Sequence, residues 1–145
     1  MPLQEQSIEI YTDGAARGNP GNAAWAFVFM EEGEVIARET GFLGIATNNV
    51  AEYQAIIHAL SAARAREYRA AALSSDSELV VRQVRGEYQV RTPHLRPLYE
   101  QVMRLAGEFS ALTFRAVPRS HPCIALADRL CNDTLDAHEK KKGKI

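Results

Sequence analysis

Residues 7 to 13 alternate apolar and polar, with Ile8, Ile10 and Thr12 on one side and Glu9, Tyr11 and Asp13 on the other, and the alternation stops at the glycine-rich run Gly14 to Gly21. A period of two is that of a strand. The glycines predict a turn, which places Asp13 at a strand end with its carboxylate pointing out of a sheet edge. The apolar run 23–31 predicts a second strand. Glu32-Gly33 is a turn signal before a third, from Glu34 to about Phe42. Three antiparallel strands therefore open the chain.

The period then lengthens. Asn48 or Asn49 can cap a helix running to about Tyr68, with Val50, Tyr53, Ile56, Ile57, Leu60 and Ala63 at three- and four-residue steps. Ala70 to Ser75 predicts a short strand, and Ser77 to Arg85 a short helix stopped by Gly86. Thr92-Pro93 predicts an N-cap and first-turn proline for a helix reaching Glu108. Ala111 to Val117 is a fifth strand, and Pro122 opens a last helix carrying Leu126, Leu130 and Ala137 on one side. The order βββαβααβα predicts an α/β fold: a five-stranded mixed sheet with helices on both faces, its last two strands parallel to the first because helical crossovers reach them.

At 145 residues, 46% hydrophobic and 24% charged, the chain is expected to be a single domain over residues 1–145, with loose ends at about 1–6 and 139–145. Lys140, Lys141, Lys142 and Lys144 fit a solvated tail better than a phosphate-binding arm. The first residues carry neither a basic nor an apolar leader, and no apolar stretch approaches the roughly 20 residues of a membrane span, so a cytoplasmic protein is expected with no membrane partner. Cys123 and Cys131, if on one helix, are separated by about 12 Å along its axis and cannot bridge. Without a Cys/His cluster, a metal here would be held by oxygen.

Four acids stand in marked settings: Asp13 after the first strand, Glu52 about one turn into the first long helix, Asp76 just after the fourth strand, and Asp128 near the start of the last helix. Each alone has a plain explanation as turn former, first-turn residue, N-cap or solvated side chain. Together they fall where the carboxyl ends of two neighbouring parallel strands gather a site. Converging carboxylates repel unless a cation compensates them. Magnesium prefers oxygen ligands and binds between acids and a substrate phosphate, and two such ions can serve an in-line phosphodiester displacement. With these four set aside from the 18 acids, 17 basic residues face 14, and the formal charge of -1 becomes +3. Bound divalent ions would make that change physical.

Four motifs carry a likeness to a known family: Asp13-Gly14-Ala15-Ala16-Arg17-Gly18-Asn19-Pro20-Gly21, Thr47-Asn48-Asn49-Val50-Ala51-Glu52-Tyr53, Ser75-Asp76-Ser77, and Ala127-Asp128-Arg129-Leu130-Cys131-Asn132. From about Ile8 to Asp136 the sequence resembles type 1 ribonuclease H. The resemblance implies the ribonuclease H-like fold and cleavage of the RNA strand of an RNA/DNA hybrid, leaving 5′-phosphate and 3′-hydroxyl ends. It implies Asp13, Glu52, Asp76 and Asp128 as ligands of two Mg2+ ions, with Mn2+ a possible substitute. It further implies contacts to the hybrid from Gly14, Asn19, Asn48 and Asn49; Ser77 and Arg119 are further candidates, and a monomer with no obligate protein partner is expected. Asparagines in the minor groove can bond 2′-hydroxyls.

The chain departs from the family in two places. Gly86 to Pro93 passes straight between two helices, leaving no room for the basic handle of some members. Arg82, Arg85, Arg91, His94 and Arg96 cluster there and could meet phosphates, although a solvated charged face is the plainer account. Val117 to Leu126 is about two residues longer than in handle-less members and lacks their asparagine. His121 in this stretch stands near a family histidine and is a candidate for moving a proton or releasing product, against the simpler reading of a loop histidine. A proofreading-type exonuclease would put an acid at Ala15, and an integrase-like core would end its triad in glutamate where this chain has Asp128. A non-catalytic hybrid-binding module would have no need of all four acids. Asp133 and Asp136 are the other acids near the end, and Asp136 lies two helical turns beyond Asp128, too far to share an ion comfortably.

Overall fold

Residues 7–142 are described by a computed structural model. Residues 1–6 and 143–145, part of the loose ends expected from sequence, lie outside the described residues. Strands β1 (Ser7–Gly18), β2 (Gly21–Glu31) and β3 (Glu34–Ala46) form an antiparallel meander. Glu32 and Gly33 join the last two at φ 52° and 80°, the doubly left-handed turn that matches the twist of a hairpin. Helix α1 (Asn48–Ala65) then leads to β4 (Ala70–Ser75), α2 (Glu78–Val84), a 3-10 turn over Pro93–Leu95, α3 (Arg96–Ala106), β5 (Ala111–Ala116) and α4 (Pro122–Lys142). β4 runs parallel to β1 and β5 parallel to β4, giving the order β3-β2-β1-β4-β5.

Helices cover both faces. Ile8, Ile10, Phe27, Phe29 and Leu73 pack under α1, whose Tyr53, Ile56 and Leu60 are fully buried, with α3 alongside. On the other face Tyr11, Ala24, Ala26 and Val28 meet α4. β2 is buried on both sides from Ala23 to Phe29, which is why it reads as a continuous apolar run rather than an alternation.

Four sequence expectations need correction. β1 does not end at Asp13 but continues to Gly18; only its pairing with β4 stops, at Thr12↔Ser75, while β2 accompanies it to the turn. Neither asparagine caps α1. Thr47 does, its hydroxyl accepting from the Val50 amide at 3.2 Å, and the asparagine side chains are left for other work. The buried stripe of α4 is Ile124, Ala127, Cys131 and Leu135, with Leu126 and Leu130 at its margin. Finally, α4 remains helical past residue 139, where a loose end was expected; Glu139 is held by an ion pair to Arg17 at 2.9 Å.

Candidate active site

The register does the first part of the assembly. Thr12 lies opposite Ser75 across the parallel pair, so Asp13 and Asp76 are the next residues on adjacent strands. Glu52 reaches them because α1 crosses β1 at contact distance. A Cβ on Gly14 would stand 2.3 Å from the Ala51 carbonyl carbon and 2.4 Å from the Glu52 nitrogen, so only glycine fits at that crossing. One carboxylate oxygen from each of Asp13, Glu52 and Asp76 lies within 4.8 Å of the others. Asp128, from the second turn of α4, stands outside that three-way group, but it lines the same cleft, of about 490 Å³, and is near enough to Asp13 for its charge to act on that carboxyl.

Such crowding has an electrostatic consequence. Burial, then the charges of Asp76 and Asp128, push Asp13 up to about 8. Burial and the neighbouring Asp13 and Asp76 hold Glu52 well above the usual carboxylate range, against the opposing pull of the Gly14 amide and Arg119. Asp76 is raised as well, chiefly by burial. Each shift is a charge seeking compensation. Glu52 Oε1 and Asp76 Oδ1 are moreover buried without a hydrogen-bond partner. Buried, unpartnered anionic oxygens a few ångströms apart fit a hard divalent cation and fit no purely structural role.

Around the acids the cleft is lined by Gly14, Asn48, Asn49, Ser77 and Arg119, all candidates for hybrid contacts, and also by Arg17 and Asn132. Asn48 Oδ1 accepts from the Ala16 amide at 3.0 Å, and the Asn48 amide donates to Asn19 Oδ1 at 3.0 Å. Asn19 therefore stands one contact behind the cleft, fastening the first hairpin to the start of α1. Ser77 caps α2 through Val80. Arg17 is bound by Asp136 at 2.7 Å, by Glu139, and by Asn132 Oδ1 at 3.1 Å, which takes Asp136 out of contention as the fourth acid. Arg17 and Asn132 are not among the candidates singled out from sequence, although each has a signal there: Arg17 shares a strand face with Asp13, and Asn132 follows Asp128 by four residues on a helix.

His121 is placed differently from the expectation of a proton carrier. Its imidazole does not line the cleft. Nδ1 accepts from the Cys123 amide at 3.1 Å, capping α4, and the ring stacks on Tyr11 with centroids 4.7 Å apart. Three members of the suggested phosphate-binding cluster have acidic partners. Arg82 pairs with Glu78 and Glu87, Arg85 with Glu87, and Arg96 with Glu100. Cys123 and Cys131 are both free thiols.

A mixed five-stranded sheet of this order, with an acid cluster where its central parallel pair ends, defines the ribonuclease H-like class of α/β folds. A family model described as "Reverse transcriptase-like" matches residues 11–134. Ribonuclease HI of Halobacterium salinarum is 38% identical over 137 residues, covering 94% of this chain and 68% of that protein. The crystal structure of ribonuclease H1 from the same archaeon matches with a TM-score of 0.87, covering 91% of this chain and 99% of that one. A bifunctional protein of Mycobacterium tuberculosis is 40% identical over 132 residues; these cover 90% of this chain and 36% of that protein, so the chain spans about a third of that relative's length. A ribonuclease H1 called LC11, solved in complex with an RNA/DNA hybrid, matches with a TM-score of 0.85 at 36% identity, covering 90% of this chain and 98% of that one. The chain belongs to the ribonuclease H family.

Proposed function

We propose that the protein is a ribonuclease H that hydrolyses the RNA strand of RNA/DNA hybrids as a monomer, leaving 5′-phosphate and 3′-hydroxyl ends. The observation that carries this reading is the cluster of Asp13, Glu52 and Asp76 with its two unpartnered buried oxygens, in a fold shared with a relative solved on such a hybrid. In this reading Asp13, Glu52, Asp76 and Asp128 hold two Mg2+ ions, for which Mn2+ can substitute. When bound, such ions polarise a phosphoryl oxygen and lower the pKa of water.

The protein's own groups select and orient the substrate. Asn48 spends its side-chain oxygen on the Ala16 amide, leaving its NH2 to donate to a 2′-hydroxyl. Asn49 and Ser77 line the same cleft, and Asn19 holds Asn48 in place. Arg119 is the cleft's cation without a close ion pair among the described residues, although its charge acts on the acids, and it supplies a charge-assisted contact to a phosphate. No helix among the described residues is long and apolar enough to cross a membrane. The test is cleavage of an end-labelled RNA/DNA hybrid with Mg2+ and with chelator, beside the all-DNA duplex. Cutting of the RNA strand only, and only with metal, is expected. Cutting that persists in chelator, or that ignores the 2′-hydroxyl, rejects the reading.

A further inference from the structure

Helix α4 carries Asp128 but is not covalently close to any other acid of the cleft, so something must set how far its carboxylate reaches. Besides the bonds of Arg17 to Asn132, Asp136 and Glu139 farther along the helix, two contacts fasten α4 to β1, one on each side of that residue. Toward the start of the helix, the His121 ring stacks on Tyr11 at 4.7 Å with an interplanar angle of 26°. Toward its middle, the Cys131 thiol donates to the Asp13 carbonyl at 3.5 Å. Tyr11 and Asp13 share a face of β1, and Asp13 and Asp128 line the same cleft. Asp128 is thus bracketed between anchors about 10 Å before it and about 4.5 Å after it along the helix, both of which land on the stretch of β1 that holds Asp13.

The His121 anchor is made from two sides. Its Nδ1 is occupied by the Cys123 amide, which fixes the ring relative to the first turn of α4 and places the neutral ring's proton on Nε2. The Pro118 carbonyl accepts from the His121 amide at 3.0 Å, and the His121 carbonyl from the Ala125 amide at 2.9 Å, so the backbone on both sides is tied. A ring so held can transmit its seat on Tyr11 to the helix.

We infer that His121 is a positioning residue for the fourth acid: stacked on Tyr11, it seats α4 on β1 so that Asp128 reaches the cluster. This rests on the reading of the cleft as a metal site and assigns to His121 a task other than proton transfer. The test is calorimetric titration with Mg2+ alone, without nucleic acid, on the native protein, His121→Asn, Asp128→Asn and the double variant. Asparagine retains a capping acceptor but has no ring to stack, so the helix start is kept and only the seat is lost. His121→Asn is expected to weaken Mg2+ binding by about tenfold, the scale of a residue that orients a ligand. The double variant should bind no more weakly than Asp128→Asn alone. Multiplicative losses, native Mg2+ affinity in Asp128→Asn, or native affinity in His121→Asn would each overturn the inference. Asp13→Asn serves as the control: if it too binds Mg2+ like the native protein, the metal-site reading fails, whereas a loss there beside an unaffected His121→Asn condemns only the positioning role.

Discussion

A carboxylate's task in this protein is decided by what stands next to it. Asp13 is 5% exposed and shares a cleft with Asp76 and Asp128, whereas Asp136, two turns beyond Asp128 on the same helix, is more than half exposed and already paired with Arg17. Asp13→Asn keeps the shape and removes the charge, and should lower kcat by more than about 100-fold, beyond the usual cost of losing a mere orienting partner. Asp136→Asn should leave kcat within about twofold and cost no more than about 1 kcal/mol, since an exposed ion pair is worth little. Steady-state rates on a hybrid and thermal unfolding of both variants check the contrast. The same logic extends to the cations: Arg82→Ala and Arg96→Ala should change the hybrid KM by less than about twofold, because each guanidinium already has a glutamate partner and has little net charge to offer a phosphate. A severalfold rise in KM would show that those partners are exchanged for phosphate.

Where elements cross, single atoms govern. Gly14 is required by the approach of α1 to β1, and Gly14→Ala should destabilise by about 1–3 kcal/mol while displacing Glu52 and lowering kcat. Gly33→Ala, at φ +80° with open space around it, should cost about 1 kcal/mol through backbone strain alone and leave kcat unchanged. Denaturant titration and rates on the two variants separate crowding from strain. The pair also marks what could be seen in the sequence. Period and crossover rules sufficed to set Asp13 beside Asp76, because alternation and chain direction are local properties. They did not reveal that β1 runs on to Gly18, since the small residues needed beneath α1 look like a turn. Nor did they choose Thr47 over Asn48 and Asn49 as the cap. All three are good capping residues, and the choice is made by Ala16 and Asn19, about 30 positions away. Ala127 and Cys131 are weak hydrophobic signals, and they form the stripe of α4 because Ala24 and Ala26 let that helix come close. His121 showed only its type; its stack on Tyr11 is a contact across 110 residues.

At the scale of the molecule, the acid cluster makes stability a function of pH and metal. Asp13 in the folded protein is pushed up to about 8, above its ordinary value near 4 in the unfolded chain, and Glu52 and Asp76 shift in the same direction. A group with a raised folded pKa contributes stability that is complete below the unfolded value and is lost as pH rises through the folded one. Without metal, the melting temperature should therefore fall from about pH 5 to about pH 8, at up to about 1.4 kcal/mol per pH unit for each proton linked. A divalent cation favours the charged carboxylates, so its stabilisation grows over the same window: Mg2+ at about 100 times its Kd should add about 2.7 kcal/mol, and that Kd should tighten as pH rises. Asp13→Asn should flatten the metal-free profile and remove most of the response to Mg2+. Scanning calorimetry of the native protein and this variant, each with chelator and with Mg2+ at several pH values, reads all of these terms together. A metal-free melting temperature that climbs toward pH 8, or an equal Mg2+ response in Asp13→Asn, would mean that these carboxylates are compensated by something other than a cation.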